Sequence, residues 1–168
     1  TAPTVKDLSG NSLAANFTSS FTTFATLTPE QGPGGPVLVV TTPSNPFGKY
    51  YPEILRAEGL NAFAVAEIGT FTATMLNSYD VVILGEMALT NAEVTMFTNW
   101  VNAGGNLIAM RPDKQLAGLL GLTDAAATLT DSYLLVNTAA APGSGIVGQT
   151  MQYHGTAGRY ALNGATSV

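Results

Sequence analysis

The fold is decided by residues 80–110, which read DVVILGEMALTNAEVTMFTNWVNAGGNLIAM. The run Asp80–Gly85 is a short apolar segment, as expected for a strand covered on both faces. Thr90 and Glu93 form a capping box, which opens a helix whose apolar residues recur with a period near 3.6. A Gly-Gly pair ends that helix, and Asn106–Met110 follows as the next strand. The stretch therefore predicts a strand–helix–strand unit.

The same alternation begins before this unit and continues after it. Val37–Val40 and Ala62–Ala66 read as two earlier apolar strands, with a helix over Tyr50–Glu58 between them. Short helices are predicted at Thr72–Leu76 and Lys114–Leu120. Strands that alternate with helices through short loops indicate a parallel sheet with right-handed crossovers. We expect a three-layer, doubly wound α/β fold with flavodoxin-like strand order.

The pattern weakens beyond residue 122. Ser132–Val136, Thr150–Tyr153 and Arg159–Leu162 have the composition of strands, and a loop rich in glycine separates the first two. A doubly wound sheet usually has a further strand and a closing helix. We therefore assign residues 37–168 to one α/β domain and expect that domain to be truncated at its C-terminus.

The N-terminal residues have a different character. Residues 1–25 predict a β-hairpin segment, because Ser9-Gly10-Asn11 is turn chemistry and Phe17–Phe24 is rich in residues that favour strands. This pattern resembles the closing strands of bacterial Ig-like domains of the surface-layer type. The alternative is a β arm packed on the α/β domain. Residues 26–36 contain six prolines and glycines, which predicts a linker.

Composition and charge exclude several classes of function. The net charge is −5 and the six basic residues are scattered, so no cluster could neutralise the phosphates of a nucleic acid. No apolar run approaches the length of a membrane span. The chain has no cysteine and one histidine, so we predict no metal site. We also expect no cofactor. Charged residues make up only 10%, a surface chemistry typical of extracellular and cell-surface bacterial proteins.

Two segments, Tyr79–Glu86 and Trp100–Met110, carry a family resemblance. They resemble the class I glutamine amidotransferase-like fold, in particular its non-amidotransferase, trehalose-utilisation-type branch, and the resemblance covers residues 36–122. In the glutaminase members, a cysteine nucleophile follows the strand that corresponds to Asn106–Met110. Here that position holds Arg111-Pro112-Asp113. Because the chain has no cysteine, glutamine hydrolysis through a thiolate is excluded.

Candidate site residues follow from the fold, since open α/β sheets bind ligands outside the carboxyl ends of their strands. Acid–base catalysis would fall to Glu86, Asp113 and His154. The candidate ligand-binding residues are Ser44, Asn45, Glu86, Arg111, Asp113, His154 and Arg159. Three structural alternatives stay open: Arg111 forms an ion pair that braces the loops, two prolines stiffen the turn between residues 42 and 48, and His154 is a hydrogen-bonded structural residue.

Two functions remain open on these grounds. The first is a non-catalytic structural or binding module of a larger extracellular or cell-surface protein, with neighbouring domains as its partners. The second is a carbohydrate-related enzyme or sugar-binding domain of the trehalose-utilisation type. The missing thiol and the Ig-like start favour the first.

Overall fold

The computed structural model describes residues 6–12, 18–22, 32–139 and 141–167. Within these residues, three α-helices and eight strands follow one another in the order β1 Val37–Thr41, α1 Tyr50–Ala57, β2 Phe63–Glu67, α2 Ala73–Leu76, β3 Val81–Leu84, α3 Asn91–Asn102, β4 Asn106–Ala109, β5 Leu122–Thr130, β6 Tyr133–Leu134, β7 Met151–Gln152 and β8 Thr156–Leu162. Short 3-10 helices cover Pro46–Lys49 and Lys114–Leu116.

The first four strands form a parallel sheet in the order β2-β1-β3-β4. The chain is therefore an α/β protein, and its strand order is consistent with a Rossmann or flavodoxin-like fold. Val39 is paired with Val65 on one side and with Ile83 on the other, so β1 is a central strand. The four sequence-predicted strands and the helices at α1, α2 and α3 are confirmed within one or two residues.

The main core lies on one face of this sheet. Side chains alternate along a strand, so Leu38 and Val40 point to the same side, as do their neighbours Val82 and Leu84 on β3. All four are buried, together with Leu76, Phe97 and Trp100 from α2 and α3 and with Leu116. The capping box of Thr90 and Glu93 is present at the start of α3, as predicted.

The opposite face is covered unevenly. Near β1 and β2 it is closed: Val39 and Phe63 are buried, and the guanidinium group of Arg56 on α1 lies 6.0 Å from the centre of the Phe63 ring. Over the other half of the sheet, Ile108 of β4 is 50% exposed. In the described part of the chain, β4 pairs with β3 alone, so its outer edge is unpaired.

The proline- and glycine-rich segment lies against the outer strand β2. The backbone N–H of Gly34 donates to the carbonyl of Phe63 at 2.8 Å. A Cβ added at Gly32 would come within 2.1 Å of that carbonyl oxygen, and one added at Gly35 within 2.5 Å of the Ala62 carbonyl oxygen. Backbone approaches this close require glycine. The described part of the predicted linker is thus anchored to the edge of the sheet.

The C-terminal part differs from the sequence prediction. The helix expected over Lys114–Leu120 is only a short 3-10 helix over Lys114–Leu116, and the chain turns at Gly121, which takes a left-handed φ of 66°. The sequence does not predict β5, a nine-residue strand that pairs antiparallel with β8 through seven residues, with a bulge between Asp124 and Ala127. Its run of three alanines has little strand propensity and no clear alternation.

The N-terminal turn is present as predicted. Lys6 and Ser12 form an antiparallel bridge, and Gly10 has a left-handed φ of 86°. The Asp7 carboxylate accepts the backbone N–H groups of Ser9 and Asn11, which shapes the turn. The strand predicted at Phe17–Phe24 is not seen in its described part, residues 18–22, and the rest of it lies outside the described residues.

Candidate functional site

A cleft of about 690 Å³ opens at the carboxyl ends of the strands, where the sheet topology predicts a ligand site. The loops after β1, β3 and β4 contribute its walls. Its lining residues are Ser44, Asn45, Phe47, Glu86, Met87, Ala88, Arg111, Pro112, Asp113 and Lys114. The structure thus brings together five of the seven sequence-predicted site residues.

Arg111 and Glu86, which both line this cleft, form an ion pair. Arg111 Nη1 lies 2.9 Å from Glu86 Oε1, and the two side chains are 56% and 43% exposed. Arg111 has a φ of 46°, a left-handed conformation that is uncommon for a residue other than glycine. It therefore occupies a sharp elbow directly after β4. Strained positions of this kind concentrate at functional sites.

Asp113 is held by backbone groups of its surroundings. Its carboxylate accepts the N–H of Leu89 at 3.0 Å and the N–H of Gln115 at 2.9 Å. Partial burial on its own raises the pKa of Asp113, but the hydrogen bonds from Gln115 and Leu89 outweigh it and lower that pKa below its ordinary value. Asp113 is thus an anion that ties the loop after β4 to the loop before α3.

The loop after β1 is fixed by its own polar side chains. Asn45 accepts the backbone N–H of Phe47 at 3.1 Å and donates through its amide to the Glu86 carbonyl at 3.0 Å. The Ser44 hydroxyl lies 3.0 Å from that of Thr42. Phe47, a lining residue that sequence reasoning missed, is 65% exposed. Its place between Pro46 and Gly48 in a loop at a strand end was the available signal.

Two sequence-predicted residues, Arg159 and His154, lie outside the cleft. Tyr160 on β8 approaches it, with its hydroxyl 3.5 Å from the Pro112 carbonyl. The neighbouring Arg159 points to the opposite face of the strand, because side chains alternate. His154 lies before Thr156, the first residue of β8, and Thr156 is about 13 Å along the strand from Tyr160. It is 84% exposed, and its Nδ1 lies 3.9 Å from Asp131 Oδ1.

The described residues do not bring together three or more histidine, cysteine, aspartate or glutamate side chains that could hold a metal ion. Nor does any helix within them have the length and apolar character needed to cross a membrane.

The architecture defines a class, an α/β domain with a four-stranded parallel sheet and a cleft at its carboxyl edge. No protein-family model matches the chain, and a search of curated proteins finds no match either. Among solved structures, the chain is similar in fold to the exo-beta-1,4-mannosidase Op5Man5 from Opitutaceae bacterium strain TAV5, with a TM-score of 0.56 at 13% sequence identity. The match covers 79% of this chain and 26% of the mannosidase.

Proposed function

We propose that this chain is a non-catalytic structural or binding module of a larger extracellular or cell-surface bacterial protein. In this proposal an amidotransferase-like α/β domain follows the end of an Ig-like β domain, and the neighbouring domains of the same polypeptide or assembly are its main partners. The complete α/β domain would be a three-layer, doubly wound sheet, as the sequence pattern suggests.

The observation that carries this proposal is the half of the sheet that the described residues leave uncovered. Parallel sheets occur almost always with both faces covered, because their strands are apolar on both sides. Here Ile108 is half exposed and the outer edge of β4 has no described partner. An open strand edge beside an apolar face is a ready template for another segment of chain. A neighbour that packs there would complete the sheet.

Two further observations support a role other than catalysis. In the cleft, the Asp113 carboxylate is engaged by two backbone N–H groups, and Glu86 is engaged by Arg111. A catalytic acid needs a pKa raised towards the working pH, whereas that of Asp113 is lowered. In addition, a related fold makes up only part of the much longer mannosidase chain, so it can occur within a larger protein.

The proposal can be tested by amide hydrogen exchange on the 168-residue chain and on the full-length gene product. We expect the amides of β4 to exchange at least about tenfold more slowly in the longer protein, because a docked neighbour would bury them. The amides of β1 serve as the internal control, since that strand is paired on both sides in the chain itself. Equal exchange of β4 in both proteins would contradict the proposal.

The alternative is a carbohydrate-related enzyme or a sugar-binding domain of the trehalose-utilisation type. The gathering of polar side chains from three loops into one cleft favours it. The fold it shares with an exo-beta-1,4-mannosidase also makes carbohydrates the first substrates to try. Cleavage of a disaccharide by this chain, lost in Glu86→Gln, would replace the non-catalytic proposal with this one.

A further inference from the structure

A groove of about 760 Å³ follows the outer edge of β2, at the end of the sheet opposite β4. It is lined by β2 itself, by the segment Gly32–Gly34 and by the loop after β1. That segment is bonded to the first residue of β2, and the loop begins beside the last one, so the groove extends along the whole strand. Among its described lining residues, only Asn45 also lines the cleft described above.

Three backbone groups along this groove point away from the sheet. The N–H of Ile68 donates to the Thr41 carbonyl of β1 at 2.9 Å, so the even-numbered residues of this stretch direct their backbone groups towards β1 and the odd-numbered ones outward. The outward groups are the N–H and the carbonyl of Val65 and the N–H of Glu67. Within the described residues none of the three has a hydrogen-bond partner, whereas the Glu67 carbonyl accepts the N–H of Thr70 at 2.9 Å.

The chain itself shows how an extended segment pairs with this edge. The N–H of Gly34 donates to the outward carbonyl of Phe63 at 2.8 Å. Gly35, the next residue, lies so close to Ala62 that an added Cβ would be 2.5 Å from the Ala62 carbonyl oxygen. The segment therefore runs antiparallel to β2. Val65 is the next outward residue after Phe63, so a peptide in the groove would continue the same row of hydrogen bonds.

The spacing of the open groups matches an extended peptide. In an antiparallel pair, one residue opposite Val65 exchanges two hydrogen bonds with it, and the residue two positions earlier bonds to Glu67, about 7 Å away. A peptide chain repeats a donor and an acceptor at this interval along one edge, which a compact small molecule does not. Among the described lining residues, Lys49 and Glu67 are the charged ones, so their charges cancel and the groove suits uncharged side chains.

We propose that β2 binds an extended, uncharged segment of a partner protein, about four residues long, as an antiparallel fifth strand of the sheet. The stretch from Phe63 to Glu67 spans about 13 Å, which four residues in extended conformation match. Main-chain hydrogen bonds to Val65 and Glu67 supply the affinity, and the groove accepts the side chains that alternate towards it. This inference goes beyond the proposed function, because the neighbouring domain proposed above packs on β4, at the other edge of the sheet.

The test is an NMR titration of the isotope-labelled 168-residue chain with acetylated and amidated hexapeptides. The neutral probe alternates threonine and valine, and two charged probes carry glutamate or lysine in place of threonine. We expect the neutral probe to shift the amide signals of Val65 and Glu67 saturably and to slow their hydrogen exchange about tenfold. The amides of Ala64 and Ala66 face β1 with or without peptide, so they serve as the internal control.

Two substitutions at one position separate the backbone from the side chain. Val65→Pro removes the outward N–H on an edge strand, where proline is tolerated, and we expect it to weaken binding about tenfold or more. Val65→Thr keeps the N–H and nearly the same shape, and retains binding within about threefold. A further comparison leaves the protein unchanged: methylation of every backbone nitrogen of the probe abolishes binding, whereas at least one of two probes methylated on alternate nitrogens still binds.

Four results would overturn the inference: no saturable shift of the Val65 and Glu67 amides with any probe up to about 5 mM, undiminished binding of the fully methylated probe, tighter binding of either charged probe than of the neutral one, or a Val65 amide that is protected before peptide is added. The last result would assign the groove to another part of the same chain. The exchange of the β4 amides is measured at the opposite edge of the sheet. A chain that binds no peptide but whose β4 becomes protected in the longer protein would overturn this inference alone and leave the module proposal standing.

Discussion

Replacing Gly105 with alanine tests how tightly α3 is seated on the sheet. Gly105 lies between α3 and β4, and its backbone N–H donates to the carbonyl of Trp100 at 3.1 Å. A Cβ at this position would lie 2.3 Å from the Trp100 ring atoms Cδ2 and Cε2. Its φ is not left-handed, so alanine meets a steric conflict with the ring rather than backbone strain.

The size of the effect follows from that distance. Ordinary contacts of a Cβ begin at 3.4 Å, so the indole or the turn must move by about 1 Å, the difference from 2.3 Å. Trp100 is only 7% exposed and packs in the main core, which leaves it little room to give way. Overpacking of this kind costs about 2 kcal/mol, and we expect the melting temperature to fall by about 6 °C.

Trp100 is the chain's only tryptophan, so its fluorescence reports directly on the conflict. We expect Gly105→Ala to shift the emission to longer wavelength in the folded state and to lower the urea midpoint. Gly104→Ala is the first control: its φ of 107° makes alanine strained, but a Cβ there meets no atom within 4 Å, so stability falls while the emission stays unchanged. Gly118→Ala, with open space and an ordinary φ, leaves both unchanged. A Gly105→Ala variant within about 0.5 kcal/mol of the parent, with unaltered emission, would refute the reasoning.

Three further changes probe the loops and the sheet edge. Because the pKa of Asp113 is lowered in the folded state, its carboxylate stabilises the fold above the unfolded pKa, near 3.8, and this stabilisation is lost as the pH falls through the folded pKa. Asp113→Asn should therefore lower the free energy of unfolding by about 1 kcal/mol at neutral pH and by progressively less below about pH 4, as measured by urea unfolding at each pH. Gly32→Ala should lower thermal stability by about 1–3 kcal/mol, since a Cβ there would collide with the Phe63 carbonyl, whereas Gly69→Ala has open space and serves as the control. Thr90→Ala removes the capping box of α3 and should cost about 1 kcal/mol in urea unfolding, while Thr90→Ser retains most of it; equal losses would count against the capping argument.

The parallel sheet could be predicted from sequence because its signals are local. Each strand from β1 to β4 is a short apolar run, and the capping box at Thr90 marks the start of α3 without reference to any other part of the chain. β5 has no such signal, since its alanine-rich run becomes a strand only by pairing with β8 some thirty residues later. That pairing is a tertiary effect, which propensity does not record.

The candidate site, too, could be predicted from sequence only in part. The rule that ligands bind at the carboxyl ends of strands was enough to gather Glu86, Arg111 and Asp113 from sequence. Their partners were not foreseeable, because the hydrogen bond that the Leu89 N–H donates to Asp113 depends on how two loops meet. His154 became a candidate as the only histidine in the chain, and the sequence held no information on which end of β8 approaches the cleft.

The hydrogen bond from Gly34 to Phe63 gives the domain a mechanical property. Directly after this bond the chain enters β1, the strand that lies between β2 and β3 with both ladders parallel to it. Tension applied ahead of residue 32 therefore loads this bond first and then pulls β1 along its own axis. The hydrogen bonds from β1 to β2 and to β3 then resist the tension together in shear, instead of opening one at a time. The segment works as a tether that passes force into a strand that is paired on both sides.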